Sequence, residues 1–420
     1  MALPRKITIH PAFQFAYVFS LSFMSRATLA LVALTFAVPI FAQLPTTVAV
    51  PLRDAATIPV AVTSAAAPAV SASAYIVVEA TSGRVLAERN TRERREPASL
   101  TKLMTAYLVF EALHQKRLSL SQTVHVSERA WKAEGSRMFI QPGKSITTEE
   151  LLRGLIIQSG NDAAITLAIA VSGTESGFVN AMNREAKRLG MSDTQFLNPT
   201  GLPAQGHYST AHDLAVLSLA LMRDFPQYTR FYAEKTFTYN RITQENRNRL
   251  LFLDPTVDGL KTGHTDAAGW CLIATANRPP RKVLTVVLGA PNDAARISES
   301  RNLIEWAFAA FEGKRMFEAK KAVATLRVWK SDVNAIPVGF NDDVTAVADT
   351  GKLADLTAEI KLDERKLAPI LAGDKVGTLL VKRAGSLVYE RDVVAMEPAL
   401  SGSIWKRAWH SVVLWWKGVF

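Results

Sequence analysis

The chain has one cysteine, Cys271, in 420 residues. That excludes an intramolecular disulfide, so any folded domain must be held by its core alone, and the length suffices for that. The flanking run Trp270-Cys271-Leu272-Ile273-Ala274 is apolar, which reads as a buried small hydrophobe and not a catalytic thiol. Seven histidines at 10, 114, 125, 207, 212, 264 and 410 give no His-Glu-x-x-His spacing, so neither a metal nor a cofactor is expected. Near the N-terminus, the uncharged apolar run at 27–42 is shorter than the ~20 residues a spanning helix needs. Nor does the net charge of +11 come with a nucleic-acid motif: the charges are spread along the chain, which argues against nucleic acid and for work beside an anionic membrane or cell-wall polymer.

With 48% hydrophobic and 21% charged residues, the chain is ordinary for a globular protein of two domains. Arg26 precedes the apolar run, and small residues lie near its end, the pattern of a secretory signal over 1–42 with Met24 as an alternative start. Export is expected. Residues 43–73 are rich in Ala, Val, Thr, Ser and Pro with almost no charge, and read as a flexible leader.

From there the pattern becomes regular. Tyr75 to Glu79, a turn at Thr81-Ser82-Gly83 and Val85 to Ala87 read as a hairpin. Leu100, Leu103, Met104, Tyr107 and Leu108 recur at helical spacing, so Ser99 opens a buried helix. Thr147 with Glu150 is a capping box that starts a helix reaching Gln158, and Asp162 is expected to cap the next. Residues 257–265, 270–276 and 282–288 read as strands, the last two joined at Pro279-Pro280, before a helix over 293–311. The fold class expected is α+β: an antiparallel sheet with helices over 74–314, then a small all-β domain over 315–398 with short runs such as 322–326 and 376–381. Residues 401–420 close the chain. Half of the eight tryptophans lie in the last 16 residues, and 404–420 contains Lys406, Arg407 and Lys417 but no acidic residue. Trp405, Ala408, Trp409, Val412, Trp416 and Val419 share one helical face, as in an amphipathic helix lying on a membrane surface.

Three polar motifs carry the chemistry: Ser99-Leu100-Thr101-Lys102, Ser159-Gly160-Asn161 and Lys261-Thr262-Gly263. A serine hydroxyl needs a base, and Lys102 lies one helical turn from Ser99. Shielded from water and beside other cations, that lysine is partly neutral and usable as the base. Lys261 and the helix N-terminus at Ser99 supply the positive field. Ser159 can relay the proton to a leaving amine, and the Asn161 amide can hold a substrate carbonyl or orient Lys102. Lys261 and Thr262 suit a terminal carboxylate, and Gly263 is expected to let a substrate backbone approach. The backbone N–H groups of Ser99 and His264 are the candidate oxyanion hole.

In this order the motifs resemble those of the β-lactamase/transpeptidase-like superfamily. More closely, Glu96 to Lys102, Gln158 to Asp162, Asn246-Arg247-Asn248 and Asp258 to Thr265 look like the D-alanyl-D-alanine carboxypeptidases, the low-molecular-mass penicillin-binding proteins. The likeness covers about residue 74 to the C-terminus and departs at Pro199-Thr200-Gly201-Leu202, where some members have a histidine. It implies that Ser99 is the acylated nucleophile, Lys102 the proton acceptor, Ser159 the second active serine, Lys261 a substrate-binding residue and Arg247 a ligand for the substrate carboxylate. It further implies removal of the terminal D-alanine from the peptidoglycan pentapeptide stem, covalent inhibition by β-lactams, and a site on the periplasmic face of the bacterial inner membrane. The alternatives are a β-lactamase, a transpeptidase or endopeptidase, and a catalytically silent wall scaffold. A soluble single-domain β-lactamase leaves 315–420 unexplained, and a scaffold has no need to keep nucleophile and base together.

Overall fold

The structure is a computed structural model and describes residues 47–51 and 66–419. Five antiparallel strands form the central sheet, in the order Arg84–Arg89, Ala74–Glu79, Arg281–Ala290, Gly269–Arg278 and Val257–Thr265. Val283 to Leu288 is a near-continuous apolar run because helices cover both faces of the sheet. On one face Ile76, Val78, Leu284 and Val286 share a core with helices Lys102–His114, Thr148–Ile156, Asn161–Ser172, Glu175–Arg188 and Ala211–Asp224. On the other, Leu303 and Ala307 of helix Asp293–Ala310 pack on Val77, Val283 and Val287. Each such buried aliphatic side chain contributes roughly 1.5–3 kcal/mol. Cys271 lies inside the sheet, fully buried, and burial pushes its thiol up to about 11.

The expected hairpin, strands and helices of this region are present, with ends shifted by a few residues. Thr147 and Glu150 form the anticipated capping box. Asp162 does not cap its helix, whose N-cap position is Gly160. Its carboxylate instead accepts from the backbone of a neighbouring loop, a long-range demand that outweighs the local preference for capping.

Past residue 310 the chain turns β-rich. Phe311–Phe317 follows helix Asp293–Ala310 without a loop, so the first strand begins before residue 315, and it pairs with Val344–Asp349. A second sheet runs Leu356–Leu362, Lys375–Arg383, Ser386–Ala395, Ala335–Gly339 and Ala322–Arg327 over its own core, which includes Val338, Phe340, Ile360, Leu379 and Val393. Thr47–Pro51, inside the segment expected to be structureless, is a strand at the outer edge of this sheet, with Val48 opposite Ile360. An edge strand supplies the pairing partner that local periodicity could not reveal. The apolar run at 27–42 and the rest of the leader before residue 66 lie outside the described residues. The two domains are tied by Arg281, whose guanidinium donates to the carbonyls of Phe311 (2.6 Å) and Ala307 (2.9 Å), and by Arg84, which donates to the Val347 carbonyl at 2.8 Å.

The final helix, Ile404–Val419, docks by one side only. His410 stands edge-on to Trp329 at 5.4 Å and accepts the Lys330 N–H at 2.7 Å, while Lys406 donates to the Asp332 carbonyl at 2.9 Å. Trp405, Trp409, Trp415 and Trp416 remain 61–84% exposed. No described helix is long and apolar enough to cross a membrane.

Candidate active site

Ser99 sits in a 3-10 turn, Ala98–Thr101, that leads into helix Lys102–His114. Lys102 Nζ donates to Ser99 Oγ at 2.9 Å and to the Thr200 carbonyl at 2.5 Å, and its side chain is buried. The turn is strained: Ala98, just before the serine, has φ +47°. What holds it is the loop behind. Thr105 Oγ1 donates to the Pro199 carbonyl at 2.7 Å, and Asn198 Oδ1 accepts from the backbone of Thr200 and Gly201. Gly201, at φ +80°, lies so close to the Ala98 carbonyl that no Cβ fits between them. His207 meets Thr101 Oγ1 at 3.0 Å, and burial lowers its pKa to about 4, so it stays neutral.

The second motif forms the turn between helices Thr148–Ile156 and Asn161–Ser172. Ser159 takes φ +64° and is buried, and its Oγ has no hydrogen-bond partner among the described residues. Among the described residues Asn161 makes no hydrogen bond to Lys102. Its Nδ2 donates to the Glu134 carbonyl at 2.6 Å and its N–H to the Ser136 carbonyl at 2.7 Å, while Oδ1 is buried without a partner among the described residues. The hydrogen bonds that hold Lys102 go to Ser99 Oγ and the Thr200 carbonyl. The Asp162 carboxylate accepts the N–H groups of Met138, Phe139, Ile140 and Ala163, at 2.9–3.3 Å. One buried carboxylate thus fixes the loop on which Asn161 leans.

Lys261, Thr262 and Gly263 lie on Val257–Thr265, the edge strand of the central sheet, all three buried. Lys261 Nζ donates to the Thr262 carbonyl at 3.0 Å. A Cβ on Gly263 would meet Pro97 O at 3.1 Å and Ala98 Cβ at 3.3 Å, so the glycine lets the serine turn pack closely on this strand. His264 is exposed, and its ring lies tilted against Trp270 with centroids 4.0 Å apart. From behind, the buried Arg296 donates to the carbonyls of Gly263 and Cys271, both at 3.4 Å. Arg247 Nε donates to the Gln158 carbonyl at 3.1 Å, which brings the residue expected to bind a carboxylate against the second motif.

Electrostatics join the three motifs. Lys102 is lowered to about 7, by burial first and then by the charge of Arg247, against the opposing pull of Asp162. Lys261 falls well below the usual lysine range, by burial and then by Lys102, Arg247 and Arg296. A cluster this cation-rich favours an anionic ligand and leaves Lys102 partly neutral. Among the described residues no group of His, Cys, Asp and Glu is arranged to hold a metal.

The family profile described as D-alanyl-D-alanine carboxypeptidase matches residues 61–292, and that of the penicillin-binding protein 5 C-terminal domain matches 311–398. The chain belongs to the D-alanyl-D-alanine carboxypeptidase family. Among characterised carboxypeptidases, DacC of Escherichia coli is 39% identical over 356 residues, covering 83% of this chain and 89% of that protein. Among solved structures, penicillin-binding protein 5 from Haemophilus influenzae aligns with a TM-score of 0.69 at 34% identity, covering 80% of this chain and all of that one. Penicillin-binding protein D2 from Listeria monocytogenes, solved in ampicillin-bound form, aligns at 0.53 and 33% identity over 58% of this chain and 99% of that one.

Sequence motifs located Ser99, Lys102, Ser159, Asn161, Lys261 and Thr262, which the fold gathers in one place. They did not single out Thr200, Gly201, His207 or Arg296. The sequence marks Pro199-Thr200-Gly201-Leu202 only as a departure from some family members, which does not say what that loop touches.

Proposed function

We propose that this chain is a serine D-alanyl-D-alanine carboxypeptidase that removes the terminal D-alanine from peptidoglycan pentapeptide stems through an acyl-enzyme on Ser99. One observation carries the reading: a buried lysine, its pKa lowered to about 7, donates a hydrogen bond to the serine hydroxyl at the mouth of a cationic site. In the neutral form the Lys102 lone pair takes the Ser99 proton as Oγ attacks the carbonyl carbon of the penultimate D-alanine. The N–H groups of Ser99 and His264 receive the oxyanion. The proton passes through Ser159 to the amine of the departing D-alanine, while Lys261, Thr262 and Arg247 hold its carboxylate and Asn161 the peptide carbonyl. Water then hydrolyses the ester and returns Ser99. A β-lactam, which presents a strained amide beside a carboxylate, acylates the same serine.

The apolar segment at 27–42 and the exposed tryptophan-bearing side of helix Ile404–Val419 support export and attachment to the periplasmic face of the inner membrane, with the helix lying in the interface.

The test follows D-alanine release from a peptide ending in Lys-D-Ala-D-Ala by the parent and by Ser99→Ala, alongside labelling with a fluorescent penicillin. Release and labelling by the parent alone are expected. Labelling without release would move the assignment to transpeptidation, and the loss of both in folded protein would refute it.

A further inference from the structure

The β-domain exposes an apolar surface that its own core does not explain. Ile370 and Ala399 pair antiparallel, each N–H donating to the other's carbonyl at 2.9 Å, and both side chains are fully buried. Side chains alternate across an extended pair, so the neighbouring positions face outward. Those positions are Pro369 and Leu371 on one segment and Pro398 and Leu400 on the other, and Leu367, two residues before Pro369, is exposed as well. None is polar. Leu367 is 45% exposed, Leu371 62% and Leu400 57%, and both prolines are exposed as well. An outward-facing ribbon made only of Leu and Pro is not a solvated face.

The ribbon is fixed to the C-terminal helix. Gly402 N–H donates to the Lys330 carbonyl at 2.9 Å, and a Cβ on Gly402 would meet the Ser331 carbonyl oxygen at 2.6 Å. Ser331 Oγ donates to the Leu400 carbonyl at 3.0 Å, and His410 closes the helix onto Trp329 and Lys330. Helix and ribbon therefore move as one piece. From residue 398 to 420 there is no acidic side chain, while Lys406, Arg407 and Lys417 are basic.

We infer that the ribbon Leu367, Pro369, Leu371, Pro398 and Leu400 enters the headgroup region of an anionic phospholipid surface together with helix Ile404–Val419. The inference rests on the membrane reading of that helix. The protein then stands on the bilayer by two rigidly joined contacts, and the attitude of the β-domain to the surface is set. The sequence of helix Ile404–Val419 carries Lys406, Arg407 and Lys417 and no acidic residue, which favours an anionic surface, whereas Asp374, which accepts the Leu371 N–H at 2.7 Å, and Glu397 flank the ribbon, so the ribbon adds apolar contact and the helix the charge preference.

The full chain carrying Leu371→Cys or Val412→Cys is labelled with an environment-sensitive fluorophore. Cys271 stays unlabelled because it is buried and its thiol is held up at about 11. With phosphatidylglycerol/phosphatidylethanolamine vesicles, both labels are expected to brighten severalfold and to be quenched by nitroxide lipids. A response at 412 with none at 371 overturns the inference and leaves the membrane reading of the helix standing. Silence at both overturns both. A response at 371 that needs only high protein concentration and no vesicles identifies a second copy as the occupant and overturns it too. Separately, Leu371→Glu/Leu400→Glu should bind vesicles about tenfold or more weakly than the parent while labelling with penicillin as the parent does. Unchanged vesicle binding would overturn the inference.

Discussion

Lys102 Nζ lies 2.9 Å from Ser99 Oγ, one turn along the same helix, and the Thr200 carbonyl holds it from the other side at 2.5 Å. A neutral amine has two N–H donors and one lone pair. With one N–H committed to Thr200, the lone pair is free to face the serine hydroxyl. Lys102→Arg keeps a long basic side chain but puts a permanently charged group that does not deprotonate where the base must be. Acylation by penicillin should fall by about 10²–10⁴-fold, the range expected for removing a general base, with a lowered melting temperature because a permanent charge is buried among cations. Wild-type acylation rates in Lys102→Arg would exclude Lys102 as the proton acceptor.

The pH dependence follows from the same lysine. Its folded-state pKa of about 7 lies below the usual lysine value, and the active form is the deprotonated one. Activity is therefore present above about pH 7 and lost below it, and kcat/KM should fall about tenfold per pH unit on the acid side. Arg247 is the charge that lowers Lys102 after burial, so Arg247→Gln should move the acid limb to higher pH. Arg247 also faces substrate in the proposed mechanism, so the position of the limb is the readout, not its height. An acid limb that stays in place in Arg247→Gln would mean that burial alone sets the lysine.

The three motifs were readable because each is local. Ser99 and Lys102 are three residues apart on a helix, and Ser159 to Asn161 is a turn between two helices whose boundaries a capping box announces. What the sequence did not reveal depends on residues far apart in the chain. Thr200 reaches Lys102 across 98 residues, and Arg296 reaches the Gly263 carbonyl across 33. Gly263 lies on a strand that the sequence shows, but the serine turn packed against it comes from a distant part of the chain and is not visible there. Asp162 was read as a helix cap because an acid at a helix start usually is one, but four N–H groups, three of them from another loop, compete for it. The start of the β-domain was placed late for a similar reason: no turn residues separate Ala310 from Phe311, so the change of structure leaves no punctuation.

Asp162 can be tested on its own. Asp162→Ala leaves the N–H groups of Met138, Phe139 and Ile140 without their acceptor in a buried place. Each unsatisfied group costs about 1–3 kcal/mol, reduced where the loop can open to water, so a loss of about 3–5 kcal/mol in denaturant unfolding is expected. Hydrogen exchange at residues 138–140 should speed up by orders of magnitude. Penicillin acylation should drop as well, because Asn161 leans on the same loop through Glu134 and Ser136. Unchanged exchange at 138–140 would show that the carboxylate is not what holds the loop.

Gly201 and Gly190 separate backbone strain from close packing. Both have left-handed φ, +80° and +82°, so alanine carries a similar backbone penalty of about 1–2 kcal/mol at either position. Around Gly190 there is open space within 4 Å, whereas a Cβ on Gly201 runs into the Ala98 carbonyl and comes within 2.9 Å of Thr101 Oγ1. Gly190→Ala should therefore lose only the backbone term and keep full activity. Gly201→Ala must push the serine turn away from the loop that supplies the Thr200 carbonyl, which separates Lys102 from its anchor. It should lose several kcal/mol of stability by chemical denaturation, and in protein that remains folded penicillin acylation should slow by at least tenfold. Equal losses in the two variants would mean that backbone conformation alone accounts for Gly201, and that the serine turn has room to spare.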